Sequence, residues 1–371
     1  MMRFATLLLL LPSILSAIDE PIPDPNQAVT SPAEDNPILL REKVDSMGQD
    51  SLQEAFRLLT KDYIQRESLD PLEINRSALQ GLLDRLDFGA MLLTEKGRDQ
   101  SNSPFRFLHT RIGDSLGYLR FGRYNEKGVN DLDTAIQEFR KEDEIKALII
   151  DLRSPQAQAD FAIASQILSR FRPPNELLFK IRRPGNDRPT LFVSEAADLN
   201  WNREIILLVD QETGNVGEII AAVLKRETDC LIIGEKTPGL TVEYRDVAID
   251  EDRILRYAIA EVVLEDNSSI FQKGIEPDIH TPTPQETKHL IYRKTQNGEP
   301  LASFLFQKQR PRMNEAALVA GTDPEIDYYL LRSNRKPTPW DTPPAQDRAL
   351  QQAVDLLTTH SFLNPEKKKR P

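Results

Sequence analysis

Between Arg203 and Arg245 apolar runs alternate with polar, glycine-bearing breaks, and the rest of the chain is arranged around this stretch. The pattern predicts strand, loop, helix, strand, loop, strand. Residues 205–209 are a short, β-branched run with no polar interruption, as expected of a strand covered on both faces. Asp210 to Gly217 is polar and holds two glycines, so the chain turns there. Ile219, Ala222 and Val223, followed by Cys230, set an apolar stripe at helical spacing, and residues 231–233 predict the next strand. Gly234, Pro238 and Gly239 end that strand in a second loop. In an open α/β sheet, sites are built on loops at strand ends and on helix N-termini, so chemistry is sought here first.

Elsewhere the period of the apolar positions predicts a helix over 37–65, with Leu52, Ala55, Phe56 and Leu59 on one face, and another over 73–86. Residues 97–105 read as a polar loop. The main domain begins near Phe107, with strands over 116–121 and 147–152, helices over 130–141 and 161–171, and a hairpin of 177–181 with 190–193 around Arg183-Pro184-Gly185-Asn186. Residues 257–263 predict a further strand and 273–279 an extended closing segment. Strands alternating with helices imply a largely parallel sheet with right-handed crossovers. Residues 284–345 are mixed and proline-rich, helical at 314–320, with breakers at Asp323-Pro324 and 336–344. An amphipathic helix over 348–357 is expected to dock on the domain.

The N-terminus changes the picture of where the chain works. Arg3, an apolar run over 4–15 and Ser16-Ala17 form the pattern of a secretory signal peptide, residues 1–17. Spanning a bilayer takes about 20 apolar residues, so a cleaved leader is expected, with a retained anchor as the alternative. Residues 18–37 contain five prolines among acidic and small residues, a composition that cannot bury enough apolar surface to fold. The expected location is therefore periplasmic or extracellular, without stable membrane insertion. A net charge of −11 argues against sequence-independent binding to nucleic acid, and the basic run 367–370 reads as a solvated tail. Cys230 is the single cysteine and reads as a core residue; His109, His280, His289 and His360 are scattered, so neither a metal nor a cofactor is expected.

Five segments then fall into a telling order: Gly117 to Phe121 (GYLRF), Asp151-Leu152-Arg153, the loop before Glu218-Ile219, GEKTPG at 234–239, and GIEPDI at 274–279. In this order they resemble the C-terminal processing (tail-specific) serine protease family. The resemblance implies a crotonase-like α/β domain over 107–282, with an N-terminal helical region over 38–106 and a C-terminal helical extension over 283–371. Family members cleave peptide bonds with a serine nucleophile and a lysine general base, whose proton affinity falls when it is desolvated. Backbone N–H groups at the helix start stabilise the oxyanion.

Carried over by position, the family's serine and lysine fall on Asn215 and Leu240, which offer neither a hydroxyl nor a base. The glycine pair that follows the DLR strand is replaced by Ser154-Pro155-Gln156-Ala157-Gln158. Many members also insert a PDZ domain ahead of the first protease strand. The interval 91–116 is too short for one, so a β-augmentation groove of that kind is expected to be absent. Thr213 and Lys236 are the residues that could replace the dyad, and Glu218 keeps the family's glutamate, suited to its own helix N-terminus. The expectation is an exported, inactive pseudoprotease that binds a peptide or protein partner. An active serine-type endopeptidase using displaced residues, and a structural interaction module, are the alternatives.

Overall fold

The structure is a computed structural model describing residues 42–94, 104–141, 145–155, 160–197, 200–228, 230–305, 319–321, 323–334 and 345–363. The signal-peptide, linker and basic-tail expectations lie outside these residues, as do residues 97–103, most of 314–320 and all of 336–344. The chain divides into two compact units, 1–81 and 82–371.

Helix α1 (Gln49–Asp62) carries the apolar stripe read from the sequence but buries none of its residues. Helix α2 (Pro71–Leu86) starts where Asp70 accepts from the Glu73 amide at 2.7 Å, a side-chain cap on an orphan N–H.

In the second unit, β1 (Ala90–Thr94), β2 (Leu108–Ile112), β3 (Leu116–Arg120), α3 (Glu126–Lys141), β4 (Ala147–Asp151), α4 (Phe161–Leu168), β5 (Leu177–Arg182) and β6 (Thr190–Val193) come first. They are followed by β7 (Glu204–Val209), α5 (Val216–Glu227), β8 (Leu231–Gly234), β9 (Val242–Ala248), β10 (Arg253–Val263), β11 (Ile279–His280), α6 (Gln285–Gln296), α7 (Pro324–Ser333) and α8 (Arg348–Leu363). A six-stranded sheet runs β11-β8-β7-β4-β3-β2, parallel except for β2. A second, antiparallel sheet runs β1-β10-β5-β6, with β9 also on β10. The largely parallel sheet is as expected; of the antiparallel one, the β5–β6 hairpin, the strand over 257–263 and the strand after the 234–239 loop were foreseen, but neither β1 nor the pairing.

The parallel strands read as unbroken apolar runs because both faces are covered. Leu148, Ile150, Leu207, Val209 and Ile232 point into one core, against α3, α4 and α5. Their neighbours Ile149, Ile206, Leu208 and Ile233 point into the other, against Ile291, Leu301, Phe304, Leu350 and Leu357. Residues of the 283–371 segment thus form the second cover of the central sheet. Burying a leucine such as Leu350 contributes about 1.5–3 kcal/mol relative to exposure, which explains why α8 docks.

Some boundaries differ for physical reasons. Helix α3 starts four residues before the predicted 130 because the Asn125 side chain accepts from the Gly128 amide at 2.9 Å. Asp323-Pro324 starts a helix rather than breaking one, since proline is tolerated at the first helical position. Residues 38–106 are not all helical: β1 pairs with β10 along its full length. Cys230 is free and buried, as read.

Candidate functional site

Strands β3, β4 and β7 lie side by side, and buried polar residues cluster where the chain leaves β4 and β7: Arg153 and Ser154 after the first, Asp210, Thr213 and Asn215 after the second. From β7 the chain turns at Asp210, whose amide donates to the Thr213 hydroxyl at 3.0 Å while its carbonyl accepts from the Thr213 amide at 3.0 Å. Two residues later Asn215 opens α5 with φ 44° and ψ −106°. This left-handed, sharply turned backbone is uncommon for a residue with a side chain and costs on the order of 1–3 kcal/mol. It aims the 215 side chain from a strand-to-helix elbow. Gly217 lets the elbow pack closely: a Cβ there would stand 3.1 Å from both the Thr213 methyl and the Tyr124 hydroxyl.

The Asn215 side chain is 1% exposed. Its Nδ2 donates to the Val242 carbonyl at a long 3.4 Å, and its Oδ1 has no partner among the described residues. Tyr124 Oη, Ser154 Oγ and Thr241 Oγ1 are likewise buried without a partner there, so none has a base to receive its proton. Burial pushes the Tyr124 hydroxyl well above its ordinary range. We expect Asn215→Gly to raise stability by about 1 kcal/mol, since it relieves the backbone and removes an orphaned carbonyl, partly offset by glycine's larger unfolded entropy. Urea unfolding checks this; a loss of 1 kcal/mol or more would show that the amide makes a needed contact.

Glu218 is fully buried in the first turn of α5, where the Asn215 amide favours its charged form as expected of a helix-start carboxylate, and it also reaches a second loop. Its Oε1 accepts from the Thr237 hydroxyl at 2.5 Å and the Gly239 amide at 2.6 Å, and its Oε2 from the Leu240 amide at 2.6 Å. Burial pushes its carboxyl upward, against these donors, which favour the charged form. Glu218 therefore clamps the 234–240 loop onto the start of α5. The same loop is tied to the closing segment, where the Ile275 amide donates to Thr237 Oγ1 at 2.9 Å and the Gln272 amide to the Gly239 carbonyl at 3.0 Å. Gly274, at φ +67°, allows the approach: a Cβ there would lie 1.9 Å from the Thr237 carbonyl oxygen.

Leu240 sits on this loop, half-buried, with its amide on Glu218. Thr213 is fully buried in its turn, whereas the Lys236 side chain is 55% exposed and pairs with Glu276 at 2.6 Å. Each of the two rescue candidates is thus engaged with its own separate partners.

What the sequence reading missed is an ionic chain behind the elbow. Asp151, at the end of β4, accepts from Tyr118 Oη at 2.8 Å and from Arg153 Nε and Nη2 at 2.9 and 2.7 Å. Arg153 also donates to both oxygens of Asp347, ahead of α8, at 3.0 and 2.7 Å. Lys288, on α6 and fully buried, donates to the Arg153 carbonyl at 2.9 Å and pairs with Asp210 and with Glu212, the latter at 2.7 Å. His289 meets the same Glu212 at 2.6 Å. Burial raises the Asp151 carboxyl, but the Arg153 charge and hydrogen bonds outweigh it and hold it at about 2. Burial dominates at Asp210, which is pushed up. The only sequence signal for this chain was charge at strand ends; its α6 half had none. Chemically it neutralises buried charge and fixes the loops: the Lys288 ammonium meets three acceptors, and the Arg153 guanidinium makes four bonds to Asp151 and Asp347.

Residues 115–281 match the profile of Peptidase family S41. Over 225 residues the chain is 28% identical to a carboxy-terminal-processing protease of Bartonella bacilliformis, a match covering 59% of this chain and 51% of that protein. Over 172 residues it is 25% identical to a carboxyl-terminal-processing protease of Synechocystis sp., covering 46% of this chain and 38% of the other. The chain spans about half or less of the length of these relatives. Superposition on the photosystem II D1 C-terminal processing protease gives a TM-score of 0.39 at 18% identity, over 52% of this chain and 48% of that one. Residues 115–281, which hold the elbow before α5, the clamped 234–240 loop and the closing 274–279 segment, are thus similar to peptidase family S41 and to carboxy-terminal-processing proteases.

Proposed function

We propose that this chain is an exported, catalytically inactive member of its family that binds a peptide or protein partner. The observation that carries the reading is the content of the elbow. The nucleophile position is a buried carboxamide with strained backbone, and the general-base position is Leu240, held by its amide on Glu218. An amide has no acidic proton to lose and leucine cannot accept one, so acyl transfer lacks both its nucleophile and its base. Intact loops around an emptied dyad favour retention of a surface over retention of a reaction. The interval between the helical region and the first parallel strand holds β1 and β2, which supports the absence of an inserted peptide-capturing domain. No helix among the described residues is long and apolar enough to cross a membrane.

The test is hydrolysis and capture with one probe, fluorescein-labelled β-casein, together with labelling by a serine-reactive fluorophosphonate. The wild-type chain is expected to bind casein, cleave none of it and take up no label. Turnover that disappears on Thr213→Ala or Lys236→Ala would replace this reading with an active peptidase built on displaced residues.

A further inference from the structure

One edge of β10 is interrupted. β1 pairs with it over residues 253–257 and β5 over 261–263, while β9 occupies the opposite edge. Between β1 and β5, residues Ala258, Ile259 and Ala260 therefore face no strand. Ile259 is skipped on the β9 side too, because the register steps from Ala258 opposite Tyr244 to Ala260 opposite Glu243. A bulge re-aims the backbone and ends local pairing, and an unpaired edge is a template for another extended chain.

The interruption opens on a cavity of about 340 Å3 whose walls include Val242, Ala258, Ile259, Ala260 and Phe271. Its rim carries Arg182 and Arg183, each already matched by a carboxylate: Arg182 with Glu261 and Arg183 with Glu243, both at 2.6 Å. The pocket is thus apolar within and charge-balanced at its mouth, which selects neither an acidic nor a basic ligand. Val242 also ties it to the elbow, since its carbonyl accepts from Asn215.

We propose that this interruption is a docking site for a short, extended, uncharged apolar segment of an unfolded polypeptide, which adds to β10 as a strand fragment and seats one side chain in the cavity. Main-chain hydrogen bonds supply the attraction and the pocket supplies the preference. Three residues of strand span about 10 Å, so the contact is brief and tolerant of sequence. The proposal rests on the reading that the chain binds peptides, and adds where and in what form. No catalytic residue takes part.

The experiment titrates the full chain into a fluorescein-labelled decapeptide of alternating valine and threonine, followed by anisotropy, beside a copy of the peptide N-methylated at its valines. The unmodified peptide is expected to bind saturably, the N-methylated one at least tenfold more weakly. Ala258→Trp, which fills the cavity, should weaken binding at least tenfold. Amide exchange at residues 258–260 of the wild-type chain should slow on peptide addition, a readout that stands even where the tryptophan variant fails to fold. Equal binding of both peptides, protection elsewhere on the chain, or casein capture without peptide binding would remove the β10 site and leave the peptide-binding reading standing. Protection that grows with protein concentration alone would make the occupant a second copy and overturn the proposal. No binding of either peptide or of casein would remove both.

Discussion

Arg153→Met is expected to lose about 3–5 kcal/mol of folding stability, a large part of the margin of an ordinary domain. The guanidinium is 1% exposed and is the counter-charge for two carboxylates, Asp151 and Asp347, that are themselves buried. Removing it leaves both without compensation, and the second of them anchors the start of α8, where Asp347 also accepts from the Leu350 amide at 3.1 Å. Chemical unfolding followed by circular dichroism measures the loss. A change below 1 kcal/mol would mean that water reaches the carboxylates. The same variant carries a pH signature. The Asp151 carboxyl is held at about 2 against an ordinary 3.8, a depression, so its contribution is present above 3.8 and is lost as pH falls through 2. At 1.36 kcal/mol per unit this amounts to about 2 kcal/mol between pH 4 and pH 2 in the wild type, a slope that should flatten once Arg153 is gone.

Glu218→Ala is the second large effect, expected at about 2–4 kcal/mol. It strands the Thr237 hydroxyl and the Gly239 and Leu240 amides, all bonded to this one carboxylate. A buried donor left without an acceptor costs about 1–3 kcal/mol, and part is recovered as the loop shifts. Unfolding gives the total, and amide exchange at 237–240 locates it. Glu218→Gln should lose less, because it keeps an acceptor and the folded state no longer carries a desolvated charge. The sign is opposite to that of Asp151: burial raises Glu218, so its contribution is full below the ordinary 4.5 and declines as pH rises through the folded value. Exchange protection of 237–240 unchanged in the alanine variant would show that the loop is held by its ties to 272–275 instead.

How much of this was visible beforehand follows from what each element buries. Strands β4, β7 and β8 were legible because helices cover both faces and every position is apolar. Helix α6 was not. Its sequence QETKHLIYRKTQ buries Lys288 and Thr295 beside Ile291 and Tyr292, so its inward face has no hydrophobic stripe. Lysine lies there because Asp210 and Glu212, 78 and 76 positions earlier, neutralise it, and no local pattern encodes so distant a partner. β9, VEYRDVA, was legible at its start after the 234–239 loop, but its half-exposed remainder carries no clean alternation to mark its end. At the site, positions 215 and 240 could be placed only through the family resemblance, by carrying its spacing over from Glu218. The left-handed backbone of Asn215 and the reach of Glu218 across to a second loop are tertiary facts. Thr213 and Lys236 were fair candidates by residue type; burial in a turn for one and an exposed ion pair for the other keep them apart.

The contact between Arg153 and Asp347 spans 194 positions of sequence. Until the segment before α8 is in place, the central arginine has only one of its two counter-charges, and the second face of the parallel sheet lacks Leu350, Ala353 and Leu357. Closing so long a loop is slow, and its entropy must be met before the contact returns anything. The pairing of Arg153 with Asp347 is therefore expected late in folding, once α8 has docked, and a chain with α8 undocked exposes an apolar sheet face open to association. The chain is in this sense assembled from its far end, with the locking event remote from the residues it locks.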